Sequence, residues 1–125
     1  MYSEAHLRQS VDAFLKAAES WDVGGYARFF SANAIKIDPY GSQPVMGRDA
    51  IVQRYQVKRV EKLKEWKIVP HDVFVSGNGV ALRWTVSVWP KTGETAVYEG
   101  IDLFEFDEDG LCEKMITFPQ IQRKN

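Results

Sequence analysis

Tyr98-Glu99-Gly100-Ile101-Asp102-Leu103-Phe104-Glu105-Phe106 changes character with every residue. In an extended chain, period two places Tyr98, Gly100, Asp102, Phe104 and Phe106 on one face. Glu99, Ile101, Leu103 and Glu105 fall on the other. The segment before it, 79–90, alternates in the same way, with Leu82, Trp84, Val86 and Val88 opposite Arg83, Thr85, Ser87 and Trp89. In the segment after it, 111–123, Met115, Thr117 and Pro119 alternate with Ile116 and Phe118. A fourth β-rich stretch covers 65–76. The separators Gly77-Asn78-Gly79, Lys91-Thr92-Gly93 and Asp107-Glu108-Asp109-Gly110 are hairpin signals, so consecutive strands are expected to pair antiparallel.

The first half of the chain reads differently. Leu7, Val11, Phe14, Leu15 and Ala18 recur with the 3.6-residue rhythm of an amphipathic helix over about 3–20. Asp22 is placed to cap a second short helix burying Tyr26, Phe29 and Phe30, and Gly24-Gly25 weakens its first turn. Ala34 to Asp38 reads as a short strand ended by Pro39 and the turn residues Gly41, Ser42 and Pro44. A third helix is expected over about 48–63, with Ile51, Val52, Tyr55 and Leu63 inward and Lys58, Arg59, Lys62 and Lys64 on a solvated face. Helices first and a meander afterwards define an α+β fold with the helices on one face of the sheet. No repeat or linker divides the 125 residues, so one domain is expected over 1–125.

Composition narrows the function. A formal net charge of −1 supplies no basic field for nucleic acid or an anionic membrane. Cys112 is the only cysteine and His6 and His71 are far apart, so neither a disulfide nor a recognisable metal-ligand spacing exists. No apolar run reaches the roughly 18 residues of a membrane helix, and residues 1–10 carry charges where a secretory signal would be apolar. These features point to a cytoplasmic protein that works without cofactor or metal. Four Trp, seven Phe and five Tyr suggest a bulky core or a ring-lined cavity, hence an apolar small-molecule ligand.

Two aspartates carry the chemistry. Alternation puts Asp102 among Phe104, Phe106 and Gly100, where lost hydration raises a carboxyl pKa and favours the neutral, hydrogen-bond-donating form. The alternative is a strand-end residue or a partner for a buried Lys or Arg. Asp38 on its own reads as a turn residue, since Asp-Pro-x-Gly commonly ends a strand. On the outer face, Ile101, Leu103, Ile116, Phe118 and Trp89 would form an apolar patch suited to a homodimer contact.

Asp38-Pro39-Tyr40-Gly41-Ser42-Gln43-Pro44, with Gly47 and the helix holding Ile51 and Tyr55, resembles the corresponding stretch of bacterial steroid Δ5-isomerases. The strand 98–106, followed by a Gly turn and Met115, resembles the late strands of the same family, within the NTF2-like and SnoaL-like superfamily. The resemblance runs over nearly the whole chain. It implies a cone-shaped, strongly curved antiparallel sheet wrapped around N-terminal helices, an apolar pocket and a dimer through the sheet. It also implies roles: Asp38 as general base, Asp102 as protonated oxyanion donor and Tyr55 as a supporting hydroxyl. The implied reaction moves a proton α to a carbonyl in an apolar polycyclic compound, steroid- or terpenoid-like. The family's catalytic tyrosine falls at Phe14, which has no hydroxyl. Phe14, Tyr26, Phe30, Trp84, Val86, Phe104 and Met115 are the expected pocket residues.

Other chemistries stay in view. Epoxide hydrolases of the superfamily use an inward Asp-Arg-Asp set, and alternation turns Arg83 outward. A scytalone-type dehydratase needs pocket histidines, and only His71 is available. A polyketide or terpenoid cyclase using Asp38 or Asp102, and a non-catalytic binding dimer, are the alternatives.

Overall fold

The rhythm of Leu7, Val11, Phe14, Leu15 and Ala18 becomes helix α1 (Glu4–Ser20), with all five side chains buried. Ser3 caps it by accepting a hydrogen bond from the His6 amide at 3.1 Å. Trp21 ends it in the left-handed region at φ 60°. Asp22 then caps α2 (Val23–Arg28) through the Gly25 amide at 3.0 Å. A Cβ on Gly25 would lie 2.9 Å from the Ala17 Cβ and 2.6 Å from an Asp22 carboxylate oxygen. Close approach of the two helices therefore explains a glycine that propensity alone disfavours.

These coordinates are a computed structural model that describes residues 2–121. After α2 come β1 (Phe30–Ile37), β2 (Val45–Met46) and α3 (Arg48–Val57). A π-helical turn (Lys58–Lys62) leads into β3 (Leu63–Ser76), β4 (Gly79–Pro90), β5 (Ala96–Phe106) and β6 (Cys112–Ile121). The sheet is curved and unclosed, six strands in the order β2-β1-β6-β5-β4-β3, with the N-terminal helices on its inner side. The α+β reading and the hairpins β3–β4, β4–β5 and β5–β6 hold.

Three expectations are corrected. The sheet is not antiparallel throughout, because β1 pairs parallel with β6. The chain leaves β1, passes through α3 and the meander, and returns to lie beside it in the same direction. The second helix stops at Arg28, and Phe30 instead opens β1, four residues before the expected start. The third helix ends at Val57, where a wider π turn takes over. Residues 122 and 123 of the expected last strand lie outside the described residues.

Alternation is obeyed where it was read. Asp102, Phe104 and Phe106 are buried on β5 while Ile101, Leu103 and Glu105 are exposed. Leu82 and Trp84 on β4 and Met115 and Thr117 on β6 face the same interior. Gly100 pairs with Trp84 across the strands. A Cβ there would strike the Phe118 carbonyl oxygen and come within 2.7 Å of the Trp84 ring. Gly100→Ala is therefore expected to cost about 1–3 kcal/mol by overpacking. A thermal melt showing no loss of stability would contradict this packing.

Among the described residues, no helix is long and apolar enough to cross a membrane.

Candidate active site

Between the helices and the concave face of the sheet lies an apolar cavity of about 320 Å³. Asp38 and Asp102 both border it, as do Phe14, Tyr26, Trp84, Val86 and Met115. Phe30 and Phe104, expected on the wall, are corrected: they pack behind it. Both meet Phe14 edge-on, at ring separations of 5.5 and 6.1 Å, and so fill the floor. Phe14 itself stacks on Phe29 at 4.1 Å and shows the cavity only a ring.

Tyr55 also differs from expectation. Its hydroxyl donates to the Ala18 carbonyl at 2.8 Å and lies 3.1 Å from that of Ala17, at the C-terminus of α1. Its ring stacks on Tyr26 at 3.8 Å, and burial pushes its pKa well above the tyrosine range. The hydroxyl is occupied in tying α3 to α1, and Tyr55 does not border this cavity. Trp66 does the same job from β3, its indole N–H donating to Ala18 at 3.0 Å.

Asp102 sits on β5 opposite Thr117, with Leu82 on its other side. Only 6% of its surface is exposed, and burial pushes its carboxyl up to about 6. Weak approaches of the Thr117 hydroxyl and the Trp84 indole N–H, too long or too bent to be full hydrogen bonds, and the charge of Lys36 pull the value partly back. Even so, Asp102 Oδ1, Thr117 Oγ1 and Trp84 Nε1 are buried without a hydrogen-bond partner among the described residues. Each such group costs about 1–3 kcal/mol until a partner reaches it. All three belong to residues lining the cavity, so a polar atom of a bound molecule could satisfy them together.

Asp38 follows the last residue of β1 and is exposed at the rim. The turn holds there through Tyr40, whose amide donates to the Thr117 carbonyl at 2.8 Å. One carboxyl is thus solvated and the other dry, along the wall of one cavity.

Two lysines were not anticipated. Lys36 pairs with Met115 across β1 and β6, and its ammonium donates to the Tyr26 hydroxyl at 3.1 Å. Burial works against its charge, but Tyr26, Asp38 and Asp102 outweigh that and hold its pKa above the ordinary lysine value. The signal was present: period two puts Lys36 on the same face as Asp38. Lys58, expected on a solvated face, lies half-buried over the Trp66 ring at 5.1 Å. Burial first, and then the charges of Lys36 and Lys62, bring its pKa down to about 8 against the opposing aspartates. Lys58 stands seven residues after Ile51 and three after Tyr55, so helical spacing itself places it on their inward face.

Arg83 is exposed and pairs with Asp72 at 2.7 Å, and no arginine borders the main cavity among the described residues. His71 is exposed beside Thr85, its ring nitrogen 2.7 Å from the hydroxyl. Cys112 is buried, which pushes its thiol up to about 12 and leaves it unreactive.

A half-open sheet closed over helices, with a wet and a dry carboxyl in one apolar cavity, defines a pocketed α+β domain of a known kind. The model of the SnoaL-like domain matches residues 11–115, and the chain belongs to that family. No curated protein matches it by sequence. Among solved structures it is similar to SalBIII, an epoxide hydrolase/cyclase-like enzyme described in pyran-ring formation of the polyether salinomycin. That likeness has TM-score 0.85 and 20% identity, covering 96% of this chain and 95% of that one. It is also similar to an LEH-like epoxide hydrolase of M. tuberculosis (TM-score 0.81, 14% identity, 93% and 84% covered). A third neighbour is RV0760c of Mycobacterium tuberculosis, solved with estradiol-17β-hemisuccinate (TM-score 0.80, 13% identity, 90% and 92% covered). At these identities the neighbours establish the fold.

Proposed function

We propose that the chain is a general acid–base enzyme, needing no cofactor, that moves a proton α to a carbonyl in an apolar, multi-ring compound. The observation that carries this reading is the placement of Asp38 and Asp102, in unlike surroundings, on one apolar cavity. Asp38, solvated and ionised, removes the proton and returns it along the conjugated system. Asp102, Trp84 Nε1–H and the Thr117 hydroxyl hold the carbonyl oxygen as it gains charge. Asp102 donates only when neutral. Burial raises its pKa and so favours that neutral form already in the free protein. An apolar substrate expels further water and favours it more.

The oxygen-holding group here lacks a hydroxyl at Phe14, and this keeps a second reading alive. The same enolate, closing on an electrophilic carbon of its own molecule, would make the enzyme a cyclase. A 5-en-3-one steroid in deuterated buffer distinguishes the two. An isomerase gives the conjugated ketone, with deuterium at the γ carbon only so far as the Asp38 carboxyl exchanges its proton before returning it. Exchange without isomerisation favours the cyclase. Binding with neither would overturn the catalytic reading and leave a binding protein.

We also propose that two copies meet through the outer sheet face, where Ile101, Leu103 and Phe118 are exposed by 43, 38 and 39%. Sedimentation should show a dimer at micromolar concentration, reduced to monomer by Leu103→Lys. A monomeric parent protein would refute this.

A further inference from the structure

Three lysines border the apolar cavity: Lys36 from β1, and Lys58 and Lys62 from the π turn. A smaller cavity of about 290 Å³ adjoins it, and Lys36, Asp38, Lys58 and Lys62 border both. The three side chains therefore line the stretch that the cavities share, Lys36 and Lys58 half-buried and Lys62 exposed. Among the described residues, none of them lies within 4.0 Å of a carboxylate oxygen. Lys36 bonds only the Tyr26 hydroxyl, and Lys58 rests on the Trp66 ring. The acidic groups facing them are Asp38 and Asp102, so cations outnumber anions even with both carboxyls ionised.

A partly buried ammonium with no ionic partner is costly, and several on one apolar wall repel each other. An incoming anion relieves both effects. The opposite expectation, an uncharged ligand throughout, would leave that repulsion in place in the complex.

We propose, on the reading of this cavity as a substrate site, that its ligand is an acid: an apolar ring body carrying a carboxylate. The rings fill the space between Phe14, Trp84 and Met115, and the carboxylate sits against Lys58 and Lys62 at the junction. The polar trio around Asp102 then meets the carbonyl, and the two ends of the molecule fix its direction in the cavity. Specificity for acids over their neutral analogues then follows from Lys58 and Lys62.

The test compares 2-naphthoate with its neutral isostere 2-naphthamide, titrated calorimetrically into the full chain at neutral pH and low salt. Charge-assisted hydrogen bonds of this kind make the carboxylate bind about tenfold more tightly, or better. Lys58→Met/Lys62→Met should remove the preference while naphthamide affinity changes less than twofold, which also reports an intact cavity. Lys58→Arg should retain the preference. Equal affinities in the parent protein, or a preference that survives in the double Met variant, would overturn the inference and leave the catalytic reading untouched. Failure of both compounds to bind would overturn the substrate cavity itself.

Discussion

Asp38→Asn is expected to lower kcat on a β,γ-unsaturated ketone by about 10²–10⁴-fold, with little change in KM. Asn keeps the shape of the side chain and loses only its capacity to take a proton. Asp38 is exposed at the end of β1 and makes no salt bridge among the described residues, so its part in the interior is the charge it presents to Lys36. Its replacement should therefore move stability by no more than about 1 kcal/mol. A kinetic collapse without a stability change is the signature of a base. Stopped-flow absorbance of the conjugated product gives the rate, and proton NMR in deuterated buffer gives the exchange. Full activity in the Asn variant would remove Asp38 from the mechanism and would require another base on the same cavity.

The residues read correctly from sequence are those governed by local period. Asp102, Trp84, Val86 and Met115 lie on strands joined by short hairpins, so alternation carries their direction without knowledge of the rest of the chain. The same holds for the inward stripe of α1. Errors concentrate where a distant element decides. Lys36 lies on a strand whose register shifts between Phe30 and Ile35 and whose neighbour, β6, arrives some eighty residues later in a parallel pairing that no hairpin announces. Lys58 shares the helical face of Ile51 and Tyr55, and only its own charge argued for solvent. The Tyr55 hydroxyl finds its acceptors on α1, so family resemblance located the residue but not its partner. Phe30 and Phe104 are apolar and inward, as expected, but whether a ring is wall or floor depends on what packs in front of it. Here that is Phe14.

Asp102→Asn should make the protein more stable and less active, with the gain in stability growing as pH rises. The ordinary carboxyl value is 3.8, and burial lifts that of Asp102 to about 6 in the fold. Between those values the folded chain holds a proton that the unfolded chain has released, so raising pH favours unfolding. Below about pH 4 both states are neutral at this residue and its burial carries no charge penalty. Above pH 6 the penalty is complete, and roughly two pKa units amount to about 3 kcal/mol. An amide mimics the neutral acid and escapes the penalty at every pH. The difference in unfolding free energy between variant and parent should therefore be small at pH 4 and approach that figure by pH 7. Because the other carboxyls are common to both proteins, the difference isolates Asp102. In the same variant, a phenolic mimic of the enolate should lose more affinity than the ketone substrate, since the hydrogen bond from the acid strengthens only as negative charge develops. Urea titrations at pH 4, 5.5 and 7 measure the first effect, and competition binding measures the second. A stability difference that stays flat across that range would mean Asp102 is hydrated or ion-paired in solution, and a dry acid could not then be assigned to the oxygen-holding site.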